Sequence, residues 1–324
     1  MKHIKIYNED CITGCAKHFS DETADLIVCD PPFGIEESTF DKHYFRDETK
    51  VLDGYQEAPD DYYLFSKMWL EQAKRILKDT GSMYVVSGWS NLPDLLKAVE
   101  DVGFYTINHI IWKYNFGVHA SKKFVSSHYH ILYLKKKKNS KVTFNTNCRF
   151  GSSETDENNR SLHYKDMEDV WVINKDYMAG KVKNKNKLPN ELLRKMILYS
   201  SNQGDIVVDF FLGNFTTALV ARELGRAPQG FESNPNGFDY FMSELRNIKL
   251  GSYLKELREV PEDRRFNKGK RLTESDKDKL YADFKDLTNG KKFTKKDAIE
   301  KLIKMHGRGR WSIERVLKEK KIGG

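Results

Sequence analysis

Apolar positions in the first 134 residues alternate between two periods. Short runs rich in β-branched and aromatic residues stand at Ala24–Cys29 (ADLIVC), Ser82–Ser87 (SMYVVS), Tyr105–Trp112 (YTINHIIW) and His128–Leu134 (HYHILYL), and they predict strands. Between the first two, Tyr63, Met68, Leu70, Ala73, Ile76 and Leu77 recur at helical spacing, which predicts a helix that stops before Thr80-Gly81. A second helix is predicted over Leu92–Val102, ended by Gly103. Only Lys113–Ser127, with no helical period, joins the third and fourth runs, so these two are expected to pair antiparallel. Residues 135–187 read as a polar insertion or loop region, poor in apolar side chains until Asp169–Ile173 (DVWVI). The alternation then resumes with helix Pro189–Ser200, strand Ile206–Phe211, helix Thr216–Leu224, strand Gln229–Glu232 and helix Phe238–Leu250. This order is that of an α/β sheet.

At Val260–Arg271 (VPEDRRFNKGKR) any apolar period gives way to Pro, Gly and charges, the signature of a linker. Beyond it Leu280, Phe284 and Leu287 share one helical face. Thr294-Lys295-Lys296-Asp297 has capping-box spacing and opens a helix through Met305; the turn His306–Gly309 leads into a last basic helix, Arg310–Lys321. A helix-turn-helix and a plain helical hairpin both fit that pattern. The expected domains are a body over 1–257, carrying an insertion at about 135–187, and a small helical C-terminal domain over 270–324.

A hydrophobic content of 39% suits one substantial core with a smaller appendage. The longest apolar run, Asp205–Leu212, is far short of a membrane span, and the start MKHIKIYNED lacks a secretory stretch, so a cytoplasmic protein is expected. Cys11, Cys15, Cys29 and Cys148 include no CxxC pair and are expected to be reduced thiols, with no metal site. Charge is segregated. Residues 255–324 carry 22 Lys+Arg against 13 Asp+Glu, and residues 113–195 carry 18 against 8, while residues 1–112 carry 11 against 20. Two basic blocks beside an acidic one favour a polyanionic partner over a merely solvated surface.

Two motifs bring in chemistry. Asp30-Pro31-Pro32-Phe33 directly follows the strand ADLIVC, at the carboxyl edge where open α/β sheets bind ligands; alone, it could also be a strand terminator. Asp209-Phe210-Phe211-Leu212-Gly213-Asn214-Phe215-Thr216-Thr217 again runs from strand to helix, with Gly213 permitting a tight turn and the helix start offering N–H groups and hydroxyls to an anionic group. About 20 residues on, a second strand ends in Glu232, the spacing at which such folds hydrogen-bond a ribose.

Together these residues resemble the amino-methylating DNA methyltransferases over roughly residues 5–250. The catalytic motif precedes the cofactor motif, as in that family's beta group. Asn8-Glu9-Asp10-Cys11, Ile111-Trp112-Lys113, His128–Leu132 and Leu188–Leu192 also agree with the family. Two departures stand out. Phe210 replaces the Pro of the usual Asp-Pro-Phe-x-Gly-Ser-Gly-Thr-Thr, and Phe215 replaces its second Gly, which is expected to narrow the space beside the cofactor's methionine end.

The resemblance implies a Rossmann-like S-adenosylmethionine-dependent methyltransferase sheet with an antiparallel strand pair. It further implies site-specific methylation of an exocyclic amino group in double-stranded DNA, adenine N6 in preference to cytosine N4, on a base flipped out of the duplex. A catalytically silent DNA-binding protein on the same scaffold stays open, as do a homodimer and a companion restriction endonuclease. By the same resemblance Asp30 and Pro31 would hold the target amino group, Pro32 would stiffen the turn and Phe33 would stack on the base. Asp10, Asp30, Asp209, Phe211, Gly213, Asn214, Phe215, Thr216, Thr217 and Glu232 would surround the cofactor, although Asp10 reads as well as a turn residue. The segment 34–61 could close over the base or be a surface loop. Lys122, Lys123, Arg149, Arg160, Arg308, Arg310 and Arg315 are candidate DNA contacts.

Overall fold

A computed structural model describes residues 4–32, 59–115, 121–122, 124–176, 187–260, 271–291 and 293–322. Phe33, Lys123 and nearly all of the segment 34–61 lie outside these residues. Eight strands form one sheet: β1 (Lys5–Tyr7), β2 (Ala24–Cys29), β3 (Leu77–Ser87), β4 (Tyr105–Lys113), β5 (His128–Lys135), β6 (Val170–Val172), β7 (Ile206–Asp209) and β8 (Ala227–Phe231), in the order β1-β8-β7-β2-β3-β5-β4-β6. Neighbours from β1 to β3 are parallel, β5 runs antiparallel to both β3 and β4, and β6 is parallel to β4. The carboxyl ends of β1, β2, β3, β4, β6, β7 and β8 therefore share one edge.

Helices cover both faces. They are α1 (Cys11–His18), α2 (Tyr62–Ile76), α3 (Leu92–Val102), a short α4 (Leu162–Asp166), α5 (Asn190–Ser200), α6 (Thr216–Glu223) and α7 (Phe238–Asn247). Trp69, Leu70, Ala73 and Ile76 from α2 and Leu95, Ala98 and Val99 from α3 pack on Ile27, Cys29, Met83, Val85, Leu132 and Leu134. On the opposite face Leu192, Leu193, Met196 and Ile197 of α5 meet Leu26, Val28, Tyr84, Val86, Ile131 and Tyr133. Strand alternation sorts these side chains, Ile27 and Cys29 of β2 serving one core and Leu26 and Val28 the other.

Most expected elements form within a few residues of their expected ends. The largest shift is at Leu77: the helical period ends one residue earlier and β3 runs from Leu77 through Gly81, where Leu77 pairs with Ala24. Gly81 is required there, because a Cβ would stand 2.8 Å from the Asp25 carbonyl oxygen. Four elements lie outside those the sequence pattern predicts: β1, the helix α1 behind it, and α4 and β6 within the segment 135–187 expected as an insertion or loop region. All four cysteines are free, and no described helix is long and apolar enough to cross a membrane.

The chain divides into two compact units, Met1–Arg149 with His163–Glu259, and Phe150–Leu162 with Val260–Gly324. The expected boundary near 257 falls two residues early, and Phe150–Leu162, expected within the body's insertion, groups with the tail instead. In the second unit α8 (Glu274–Thr288), α9 (Lys295–His306) and α10 (Arg310–Ile322) share a small core of Leu280, Ile299, Leu302, Ile313, Val316 and Leu317. Thr273 closes a capping box with Asp276, Thr294 caps α9 through Asp297, and Gly307 ends α9 in the left-handed region at φ +57°.

Candidate active site

The carboxyl edge assembles three acidic strand ends. Asp209 ends β7 and is nearly buried; its Oδ1 accepts from the Phe211 N–H at 2.9 Å, and the Thr217 hydroxyl donates to the same carboxylate. Glu232 follows β8 and gathers the turn between them, accepting from the Gly213 N–H at 2.5 Å through Oε2 and from the Asn234 N–H at 2.8 Å through Oε1. Leu212 N–H donates to the Phe231 carbonyl at 3.0 Å, so the turn after β7 is pinned to the end of β8. Gly213 takes φ +51°, the left-handed conformation that Gly adopts without a Cβ penalty.

Phe215 takes φ +57°, the backbone that a glycine would supply. Its ring is fully buried, 5.4 Å from Phe238 and 5.7 Å from Phe241, in a cluster with Leu212, Ala218, Met242 and Leu245. The expected narrowing beside the cofactor is therefore corrected: this side chain is packed into the core between α6 and α7. Phe210 is likewise core, against Trp69 and Phe231. Thr216 and Thr217 open α6, both buried, while Asn214 is half-buried and Phe211 packs on Phe65 and Trp69.

Asp30 leaves β2 beside these groups, with Pro31 buried after it and Pro32 half-buried. Its Oδ1 is buried and has no hydrogen-bond partner among the described residues. Burial pushes the Asp30 carboxyl up to about 8, the Asp209 carboxyl adding to the rise and the Lys175 ammonium opposing it. Burial likewise raises Asp209 to about 7, against hydrogen bonds from Thr217 and Phe211 and with the Glu232 charge. Glu232 is raised by burial, against its two backbone hydrogen bonds. Three carboxyls that ionise reluctantly at one edge suit a ligand that brings positive charge and hydroxyl donors.

Asp10 stands at the end of β1 but is the N-cap of α1, accepting from Ile12 N–H at 3.1 Å and Thr13 N–H at 3.0 Å. Its position as a helix cap accounts for it without a ligand. Among the candidate DNA contacts, two receive a correction. Arg149 donates to Asp166 at 3.0 Å and Glu191 at 2.7 Å inside a network completed by Lys195 and Tyr199, so its donors serve the fold. Arg308 is 7% exposed, inside the helical unit. Lys122 and Arg160 are exposed; Arg310 and Arg315 are about half exposed and pair with Glu300, Glu314 and Glu319 on the helical surface. Sequence reasoning missed Lys175, which lies two residues beyond Ile173, and the rings of Tyr114 and Tyr129 beneath it.

The sheet order, the antiparallel β5 and the acidic strand-end motifs define a Rossmann-like methyltransferase. The family model for N6/N4 amino-methylating enzymes, described as DNA methylase, matches residues 24–243, and the chain belongs to that family. It is 31% identical to the type II methyltransferase M.HinfI of Haemophilus influenzae over 75% of this chain and 68% of that one. It is 30% identical to the DNA adenine methyltransferase YhdJ of Escherichia coli (strain K12) over 79% of this chain and 88% of that one. Its fold matches the structure of the PvuII DNA methyltransferase (cytosine-N4-specific), with a TM-score of 0.54, 16% identity, and coverage of 78% of this chain and 90% of that one.

Proposed function

We propose that this protein is a beta-group DNA methyltransferase that moves a methyl group from S-adenosylmethionine to the N6 amino group of adenine in duplex DNA. The buried Asp30 oxygen at the carboxyl end of β2, unpartnered among the described residues, carries this reading. An adenine amino nitrogen is a poor nucleophile while its lone pair is conjugated into the ring. Asp30 and the Pro31 carbonyl are suited to accept its two N–H groups, localising that pair and aiming it. The carboxylate then stabilises positive charge developing on the nitrogen in a site shielded from water. Fixing the base at this edge supplies the remaining advantage through orientation. A base can reach an edge this enclosed only after leaving the duplex stack.

S-adenosylmethionine, when bound, supplies an electrophilic methyl on a sulfonium cation. Its positive charges suit the acidic edge formed by Asp30, Asp209 and Glu232. Glu232 retains acceptor capacity for ribose hydroxyls, and Gly213, Thr216 and Thr217 at the start of α6 would face the methionine carboxylate. YhdJ, by name an adenine enzyme, and the carboxylate at position 30 favour adenine over cytosine. Lys122, Arg160, Arg310 and Arg315 remain the DNA-contact candidates.

Asp30→Ala is expected to abolish methylation while leaving S-adenosylmethionine affinity within a few-fold in calorimetry, because its main partner is the amino group. Loss of both together would move Asp30 into the cofactor site. Mass spectrometry of nucleosides from DNA treated with the unmodified protein should show N6-methyladenine, and N4-methylcytosine would overturn the choice of base.

A further inference from the structure

The edge next to Asp30 holds a cation that the proposed chemistry leaves without a task. Trp112 on β4, Tyr114 just beyond it and Tyr129 on β5 form a continuous aromatic surface, with ring centroids 5.3–5.7 Å apart. The Lys175 ammonium lies over two of these rings, 4.7 Å from the Tyr114 centroid and 5.1 Å from that of Tyr129. The chain is fixed on both sides of it. Ahead of Lys175, Trp112 Nε1 donates to the Ile173 carbonyl at 2.8 Å and the Ile173 N–H to the Lys113 carbonyl at 3.0 Å. Behind it, the Asp176 carboxylate accepts from the Asn190 N–H at the start of α5, at 3.0 Å.

Alternation along the strands brings these groups to the face of Asp30. Val28, Ile131, Trp112 and Tyr114 belong to one buried cluster, with Tyr129 packed against it. Asp30 follows Val28 by two residues and Tyr129 precedes Ile131 by two, so both point to that side of the sheet.

We propose that Lys175 is a positioning residue for the methyl-transfer reaction: its ammonium, held on the faces of Tyr114 and Tyr129, favours the charged form of the Asp30 carboxyl, the form able to accept the amino group of the target base. A protonated carboxyl would lose part of its accepting capacity and offer a donor to a group that also donates. Aromatic faces hold a cation without neutralising it, unlike an ion-pair partner, so the positive field stays available to Asp30. Among the described residues, burial and the Asp209 carboxyl, which faces Asp30 from β7, work against its ionisation. Cys29, its thiol pushed well up by burial, precedes it on β2, and Glu232 stands behind Asp209 from β8. Burial lowers the Lys175 ammonium, while the Asp30 charge supports it, so each group favours the charged form of the other.

This inference rests on Asp30 accepting the amino group, and the test separates the two ideas. Methylation of a duplex containing the target site is followed from pH 5.5 to 9.5 for the unmodified protein, Lys175→Met, Lys175→Gln and Lys175→Arg, alongside Asp30→Ala. In Lys175→Met and Lys175→Gln the acidic limb of kcat/KM is expected to move up by roughly half a pH unit or more, a loss of about three-fold or more below the limb that narrows as the pH rises. Lys175→Arg should leave the limb in place. In the free protein, the Asp30 titration followed by carboxyl ¹³C NMR should move in the same direction as the limb. A uniform loss with an unmoved limb and an unmoved titration would make Lys175 a packing residue and overturn the proposal, as would an unchanged profile. An active Asp30→Ala would instead overturn the reading of the site itself. Should Lys175→Met fail to fold, Lys175→Gln keeps most of the stem over the rings and carries the same comparison.

Discussion

A carboxyl group whose proton affinity rises on folding works against the fold wherever it must ionise. Asp30 and Asp209, at about 8 and about 7, bind protons that an unfolded chain has released from about pH 4 upward. Their contribution to stability is complete below that range and is lost as the pH rises toward the folded-state values, so the ligand-free protein should become less stable between pH 5 and pH 8. Asp30→Asn keeps the shape and removes the charge. Its melting temperature relative to the unmodified protein should rise between those two pH values by on the order of 2–4 °C, about 1 kcal/mol, and an equal difference at both would refute the assignment. Phe215 carries a different tension: its left-handed backbone costs about 1 kcal/mol, while its buried ring contributes about 3–5 kcal/mol. Phe215→Gly, although it restores the family's usual residue, should therefore destabilise the protein by roughly 2–4 kcal/mol in denaturant unfolding. A stabilised Phe215→Gly would mean that the ring is poorly packed.

At the scale of elements, the turn proposed to hold the cofactor depends on how closely β7 and β8 approach. Gly230 lies opposite Asp209 with φ +155°, and a Cβ there would stand 2.1 Å from the Asp209 carbonyl oxygen. Gly230→Ala must push the two strand ends apart, at a cost at or above the usual range of about 1–3 kcal/mol for overpacking. It should also weaken S-adenosylmethionine more than ten-fold in calorimetry, because Asp209 and Glu232 sit on those two ends; unchanged affinity would show that the turn is independent of strand spacing. Elements with a clear period and a terminator were legible in the sequence. Leu92–Val102 is an amphipathic run stopped by a left-handed Gly103, and the strand ADLIVC ends at Asp30 and the two prolines after it. Lys5–Tyr7 is a three-residue edge strand made by its partner β8, too short to show a period of its own. Lys175 left no local signal either, because the pairing of β6 beside β4 and the donation from Trp112 to Ile173 bring it over Tyr114 and Tyr129. The same blindness explains Arg149, an arginine in a basic segment whose acidic partners Asp166 and Glu191 lie 17 and 42 residues away.

For the whole molecule, the question is whether the basic C-terminal unit folds and acts apart from the catalytic one. The sheet is complete at Phe231 and its covering helices end at Asn247, whereas α8, α9 and α10 bury their own core. We propose that this unit is a DNA-binding appendage, since its residues 260–324 hold 20 cationic against 11 acidic side chains and 150–162 add one against three. The grouping of Phe150–Leu162 with the tail refines the test. A chain ending at Glu259 would leave that segment without the unit it groups with, so the informative truncation also replaces 150–162 by a short Gly/Ser link. Such a protein should fold and bind S-adenosylmethionine as the full chain does, because no candidate cofactor residue lies beyond Glu232. Its DNA affinity should fall, and the slope of log affinity against log salt should become shallower by about 0.9 for each phosphate that the shortened protein no longer neutralises. Unchanged affinity and slope would preserve the boundary and remove the DNA-binding role. Loss of cofactor binding would show that the catalytic unit depends on the tail.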